Sequence, residues 1–277
     1  MVSFEHLSTS EALDRGMAQE VVMRCWPPDV SVWENPDMSG TTDTDVPRVL
    51  LTGASRGIGR ATAIAFARTG AAVVLLARES SELREMVEEV EDLGAQVVVT
   101  PCDVRDVSDV KRAIDDAERA LGGLDVLVNN AGGGRFAPFS DLTESDWSDM
   151  LSLNVEGLVN VTRAVLPVMR RQGRGHVINI GSTRGLEGAP MTTAYTASKF
   201  AVTGFTRALR QELEGSGILV SLISPGGVKT GFGGIDPAEK DATWMDPSAV
   251  ADLVVQVAEF RGRGWIAEVT MLPEPAN

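Results

Sequence analysis

From Arg48 onward the chain alternates short apolar runs with longer amphipathic stretches. The apolar runs 49–51, 73–76, 97–99, 126–128, 176–180 and 219–223 have the length and branched composition of buried strands. Between them, residues 57–69 carry Ala61, Ile64, Ala65 and Ala67 on a helical stripe that Gly70 stops. Residues 79–93 make an acidic amphipathic helix ended by Gly94, and further helices are predicted over 106–121, 143–171, 195–214 and 247–260. A last strand is expected over 265–272. Buried strands that alternate with helices form a parallel sheet covered on both faces. The pattern therefore predicts an α/β, doubly wound parallel sheet in one domain spanning residues 47–277.

Residues 1–46 do not share this pattern. They hold nine acids (Glu5, Glu11, Asp14, Glu20, Asp29, Glu34, Asp37, Asp43, Asp45) against Arg15 and Arg24, which is −7 of the whole chain's −14. Two readings stand for this segment. One is a disordered lead with translation starting at Met38. The other, preferred here, is an acidic helical appendage: Ser8 and Glu11 form a capping box, and Leu13, Met17 and Val21 share a helical face. Trp26 and Trp33 flank Pro27-Pro28 and make the segment too apolar for simple disorder.

The negative charge argues against nucleic acid and anionic membranes as partners. No apolar run reaches the ~18 residues of a membrane span, and the N-terminus lacks a signal-peptide layout. Cys25 and Cys102 are too few for a disulfide framework, and no metal-ligand spacing is present. A cytoplasmic, reducing location is expected.

Chemistry enters at four places. Gly53, Gly57 and Gly59 lie between a strand and a helix, where residues without Cβ let the backbone approach a pyrophosphate at the helix N-terminus. Tyr195, the only tyrosine, precedes Lys199 by four residues, so one helical face carries a phenol beside an ammonium. A phenol is a poor acid at neutrality, and a fixed cation brings it toward working range. Ser182 lies thirteen residues before Tyr195, and Asn129-Asn130-Ala131-Gly132 follows the fourth strand.

Taken in order, these motifs make the chain resemble the short-chain dehydrogenase/reductase family, from about Val46 to about Pro273. The resemblance implies a Rossmann fold, a nicotinamide cofactor and a catalytic tetrad of Asn154, Ser182, Tyr195 and Lys199. In it Tyr195 exchanges a proton with the carbonyl or alcohol oxygen, Ser182 hydrogen-bonds that oxygen, and Lys199 lowers the tyrosine's pKa and holds the nicotinamide ribose. Asn154 would hold a water that links Lys199 to solvent. The cofactor loop would comprise Gly53, Ser55, Arg56, Gly57, Ile58 and Gly59. Asp103 and Val104 match the family's adenine contacts, and Asn129, Ala131 and Gly132 its ribose-side wall. Pro225, Gly226, Val228 and Thr230 match the stretch that meets the nicotinamide, with residues 231–245 as a lid bearing Phe232 and Trp244. Relatives pair two helices across a two-fold axis, which implies a homodimer or homotetramer.

The second strand ends Ala77-Arg78 with no acid at its tip, and Arg56 is a second cation in the glycine loop. Two guanidiniums suit a 2′-phosphate, so NADP(H) is expected, unless the pair is taken up by Glu79 or Glu82. Arg135 and Arg184 lie near the expected pocket, either to clamp a substrate anion or to pair locally with Asp141 or Glu187. Cys102 and His176 read as structural. The expected function is NADPH-dependent reduction of a small-molecule carbonyl, or the reverse. The alternatives are an epimerase, an imine or enone reductase, or a nucleotide sensor on the same fold.

Overall fold

The computed structural model describes residues 46–234, 236–240, 243–260 and 264–274. Apart from Val46, the acidic extension therefore lies outside the described residues.

The elements follow in the predicted order. Strands are β1 Arg48–Thr52, β2 Ala72–Ala77, β3 Val97–Pro101, β4 Val126–Asn129, β5 Gly175–Ile180, β6 Ile218–Pro225 and β7 Glu268–Met271. The helices are α1 Gly57–Arg68, α2 Ser81–Asp92, α3 Val107–Leu121, α4 Glu144–Leu151, α5 Gly157–Gln172, α6 Thr193–Glu212 and α7 Pro247–Glu259. The seven strands pair in parallel in the order β3-β2-β1-β4-β5-β6-β7. The chain winds outward to β3 on one side and from β4 to β7 on the other. This leaves a crevice at the C-terminal ends of β1 and β4, where open α/β sheets bind ligands.

The central strands are mostly apolar and buried because both faces are covered. Alternate residues divide between two cores. Val49, Leu51, Val73, Leu75 and Val128 pack against α1 and α7 on one face. On the other, Leu50, Val74, Leu76 and Leu127 pack against α3 and α5. Cap chemistry sets the helix starts. The Asp106 carboxylate accepts from Ser108 and Asp109 N–H, and Thr143 with Asp146 forms a reciprocal capping box.

Two expectations need correction. The long helix over 143–171 is two α segments joined by a π-helical turn, Ser152–Glu156. The buried Asn154 carboxamide sits in that turn and bonds the Gly133 backbone, which holds the extra residue in register. The closing strand is also shorter than 265–272. Only Glu268–Met271 pairs with β6, because β6 offers the register Leu222–Pro225 at that edge.

Candidate active site

The glycine turn after β1 is fixed by steric exclusion. Gly53 and Gly57 have φ of +66° and +57°, in the left-handed region. A Cβ on Gly59 would lie 2.0 Å from the Gly53 carbonyl oxygen, so only glycine lets α1 close on the turn. Across the crevice, Asn130 Nδ2 donates to Thr52 O and Gly53 O at 3.0 and 3.1 Å. Thr52 Oγ1 accepts from the N–H of Asn130 and Ala131. Asn130 thus ties the two halves of the sheet, a role the sequence reading did not give it.

Asn129 faces the opposite way, as strand alternation requires. Its amide donates to Thr162 Oγ1 and Asn179 Oδ1, both at 2.9 Å, inside the core. It does not form the expected ribose-side wall, whereas Ala131 and Gly132 do line the crevice.

The crevice is a cavity of about 930 Å³, near the upper end of the usual range for ligand sites. Ser55, Arg56, Gly57 and Ile58 line it from the glycine turn, with Arg78, Asp103 and Val104 at the ends of β2 and β3. Gly53 and the stretch Pro225, Gly226, Val228 and Thr230 complete this wall. Arg56 and Arg78 have no ion-pair partner within 4.0 Å among the described residues. Glu79 pairs instead with Arg84, at 2.8 Å, and Asp103 with Arg105, at 2.6 Å. Arg56 acts on Glu82 only at longer range, through its charge.

Tyr195 and Lys199 stand on one face of α6, as the four-residue spacing predicts, and both are buried. Lys199 Nζ donates to Ile180 O at 2.9 Å and lies 5.9 Å from the Tyr195 ring centroid. Ser182 follows β5 and caps the short turn Thr183–Gly185, its Oγ accepting from Arg184 N–H at 3.1 Å. A Cβ on Gly185 would meet Lys199 O at 2.7 Å, so this turn presses directly on α6. Ser182, Tyr195 and Lys199 all line the cavity.

Asn154 and Gly59 do not face the cavity. The Asn154 Oδ1 accepts from Gly133 N–H at 2.8 Å, while its Nδ2 donates to Gly133 O and Ser198 Oγ, each at 2.9 Å. Ser198 Oγ donates onward to Tyr195 O at 2.7 Å. Both amide hydrogens are therefore engaged, and Asn154 connects the π turn, the Gly133 loop and the backbone of the tyrosine.

The electrostatics differ from the expectation that Lys199 lowers the tyrosine's pKa. Burial raises the Tyr195 phenol above its ordinary value, opposed by a hydrogen bond from Ser182 and by the charge of Arg184. Burial lowers Lys199 to about 8. The ammonium is held against Ile180 O, 5.9 Å from the centre of the Tyr195 ring.

Aromatic rings close the substrate end. Phe136 meets Tyr195 edge-on at 5.6 Å, and Phe232 lies 5.4 Å from Tyr195 and 6.1 Å from Phe136. A Cβ on Gly134 would stand 2.8 Å from Phe232, and one on Gly233 2.5 Å from Phe136. These two glycines let the lid ring and the body ring interleave. Lys240 Nζ sits 5.0 Å over the Trp244 ring. Phe136 and Lys240 escaped the sequence reading, although an aromatic so soon after Gly132-Gly133-Gly134 was a usable signal. Met191, with φ of +64°, accepts from Ala137 N–H at 3.0 Å and pins the loop before α6.

The remaining candidates resolve simply. Arg135 lies outside the cavity lining and pairs with Asp146 at 3.3 Å, not Asp141. Arg184 lines the cavity and meets Glu187 at 3.6 Å. Cys102 is buried, with its thiol pushed up to about 11. His176 Nε2 meets Ser221 Oγ at 2.7 Å inside the sheet. Among the described residues no helix is long and apolar enough to cross a membrane.

Residues 47–240 match the family model described as short chain dehydrogenase. The chain is 38% identical over 181 residues to a 3-oxoacyl-(acyl-carrier-protein) reductase of Thermotoga maritima, covering 65% of this chain and 74% of that one. It is 37% identical over 211 residues to the oxidoreductase UcpA of Salmonella typhimurium, covering 76% and 78%. Among solved structures, an alcohol dehydrogenase from Thermococcus sibiricus complexed with 5-hydroxy-NADP superposes with a TM-score of 0.77. It is 28% identical, with 82% of this chain and 96% of that chain covered. An actinorhodin polyketide ketoreductase with NADPH gives 0.76 at 30% identity, covering 82% and 95%. The glycine turn, the seven-stranded parallel sheet and these likenesses together make the chain a member of the short-chain dehydrogenase/reductase family, oxidoreductases that bind nicotinamide cofactors.

Proposed function

We infer that the protein is an NADP(H)-dependent oxidoreductase that reduces a carbonyl to an alcohol, or runs the reverse reaction, with Asn154, Ser182, Tyr195 and Lys199 as its tetrad. One observation carries this reading. A buried tyrosine, a serine hydroxyl acting on its phenol and a buried lysine line one end of a cavity whose glycine-turn end presents two arginines without an ion-pair partner among the described residues.

The residues fit the cofactor. The Gly53, Gly57 and Gly59 cradle would be filled by any added Cβ or strained at its φ, which leaves backbone N–H groups open to a pyrophosphate. Arg56 and Arg78 would hold the 2′-phosphate by charge-assisted hydrogen bonds, and the absence of an acid on β2's tip supports NADP(H) over NAD(H). When bound, the nicotinamide delivers a hydride to the carbonyl carbon, or receives it in the reverse direction.

Each side chain then has a task. The Tyr195 phenol, kept neutral by burial, gives its proton to the carbonyl oxygen as negative charge develops there. Ser182 Oγ donates to the same oxygen and is preorganised by its bond to Arg184 N–H. Lys199, whose pKa of about 8 allows it to gain and lose a proton, recharges the phenolate and would hold the nicotinamide ribose. Asn154 positions Tyr195 through Ser198 and holds the Gly133 loop. Phe136 and Phe232 keep bulk water from the phenol. Residues 47–277 make up this catalytic domain, with residues 1–46 as an appendage outside it.

Reading nicotinamide absorbance with a panel of ketones, β-ketoesters and quinones tests the proposal. NADPH should be consumed in step with alcohol formation. Tight NADPH binding without consumption across the panel would favour a sensing role instead.

A further inference from the structure

The cavity lining is sorted by charge. Its carboxylates, Glu79, Glu82 and Asp103, all belong to the ends of β2 and β3 and the start of α2. The end that holds Tyr195 has no carboxylate among the described lining residues and carries three cations: Arg184, Lys199 and Lys240. Lys199 is committed to Ile180 O. The other two are held loosely.

Arg184 has five N–H donors for its charge. One Nη donates to Gly188 O at 3.2 Å and lies 3.6 Å from the Glu187 carboxylate, whose side chain is 71% exposed. Such a screened pair contributes little. The guanidinium lines the same cavity as Tyr195, and its charge acts on the phenol. Lys240 hangs from the lid. Among the described residues its Nζ has long contacts, 3.4 Å to Phe232 O and 3.5 Å to Val228 O, together with the Trp244 ring. The large walls around them are aromatic, which lowers the local dielectric and strengthens any pairing.

Two loosely held cations on one apolar cavity end are costly until an anion arrives. We propose that the substrate is a small carbonyl compound carrying an anionic group, a carboxylate or a phosphate ester, which Arg184 and Lys240 hold while the carbonyl faces Tyr195. This rests on the reading of Tyr195 as proton donor to a carbonyl oxygen. The anionic group is unchanged by the reaction, so a keto acid leaves as the hydroxy acid.

The test uses the full chain with NADPH and a length-matched set: a short keto acid, its methyl ester and a keto phosphate. One or both anions should exceed the ester in kcat/KM by roughly tenfold or more, and added salt should narrow that gap. The anion that leads identifies the source. Arg184→Gln should bring the ratio of anion to ester close to one, and Lys240→Met should lower it through KM for the anion. An ester that equals or beats both anions in the unaltered protein overturns the proposal, as does a ratio that survives both substitutions. A raised KM for NADPH alone in Lys240→Met would remove that lysine from the site. Calorimetry with the non-reacting saturated acid and alkyl phosphate on the protein–NADP⁺ complex separates the two layers. Anion binding lost in Arg184→Gln, without turnover of any carbonyl, keeps the anion site and sinks the reductase reading. Turnover of neutral ketones with no anion binding does the reverse.

Discussion

Burying Lys199 should leave a measurable imprint on stability. Lys199 is 6% exposed, its ammonium donates to Ile180 O, and burial lowers its pKa from 10.5 to about 8. In the window between these values the unfolded chain binds a proton that the folded chain does not. Stability therefore rises with pH across the window, and below about pH 8 both states are protonated and the full penalty applies. The lowered pKa corresponds to about 3 kcal/mol over the whole window. Tyr195 works in the opposite sense, because its raised pKa removes stability once the unfolded phenol ionises near pH ~10. Measurements from about pH 8 to about pH 9.5 stay below that and should capture about 2 kcal/mol. Lys199→Met fills the same space without a titrating group. Urea unfolding of the cofactor-free protein and the variant, compared across this range, should show the unaltered protein gaining about 2 kcal/mol relative to Lys199→Met. The variant's offset at any one pH also includes the orphaned Ile180 carbonyl, so the relative slope is the readout. Parallel curves would mean that Lys199 titrates like a solvated lysine and that the burial argument is wrong.

Four further outcomes follow. Arg78→Ala should raise the KM for NADPH by roughly tenfold to a hundredfold, the worth of a charge-assisted contact, and leave NADH nearly unaffected; equal losses with both cofactors would make the arginine structural. Gly59→Ala should weaken NADPH binding in a fluorescence titration, since the new Cβ would stand 2.0 Å from Gly53 O; unchanged affinity would show that the turn can relax. Light scattering should give a dimeric or tetrameric mass, consistent with the exposed Phe200 on α6 and Trp265 and Leu272 flanking β7, and a chain started at Met38 should keep cofactor binding while changing stability or assembly. A monomer, or a folded truncation without hydride transfer, would contradict these readings.

The order of elements was legible because each strand is a short apolar run between glycine-stopped helices, a pattern that local chemistry fixes. The glycine turn and the Tyr195–Lys199 pair were legible for the same reason, since both are set by spacing along a single element. What escaped depended on orientation across elements. Asn129 and Asn130 are adjacent in sequence, yet strand alternation sends one into the core and the other across the crevice. The π turn at Asn154 arises from a bond to Gly133, twenty-one residues away, which no periodicity encodes. Helical spacing puts Lys199 beside the Tyr195 ring, but its bond to Ile180 O comes from β5 and is a contact across elements that spacing does not encode. The charge of Arg184 acts on the phenol from a different loop, which no spacing signals.

The central claim is that Tyr195 gives the proton. Tyr195→Phe removes one oxygen from a buried side chain that packs against Phe136 and Phe232, so the fold and NADPH affinity should be retained. With protein preloaded with NADPH and mixed with a carbonyl substrate found by the panel, single-turnover absorbance reads the chemical step alone. The account predicts a rate at least ~10² lower in the variant, the usual worth of general acid catalysis, with cofactor binding intact. A variant that transfers hydride at nearly the original rate would contradict it.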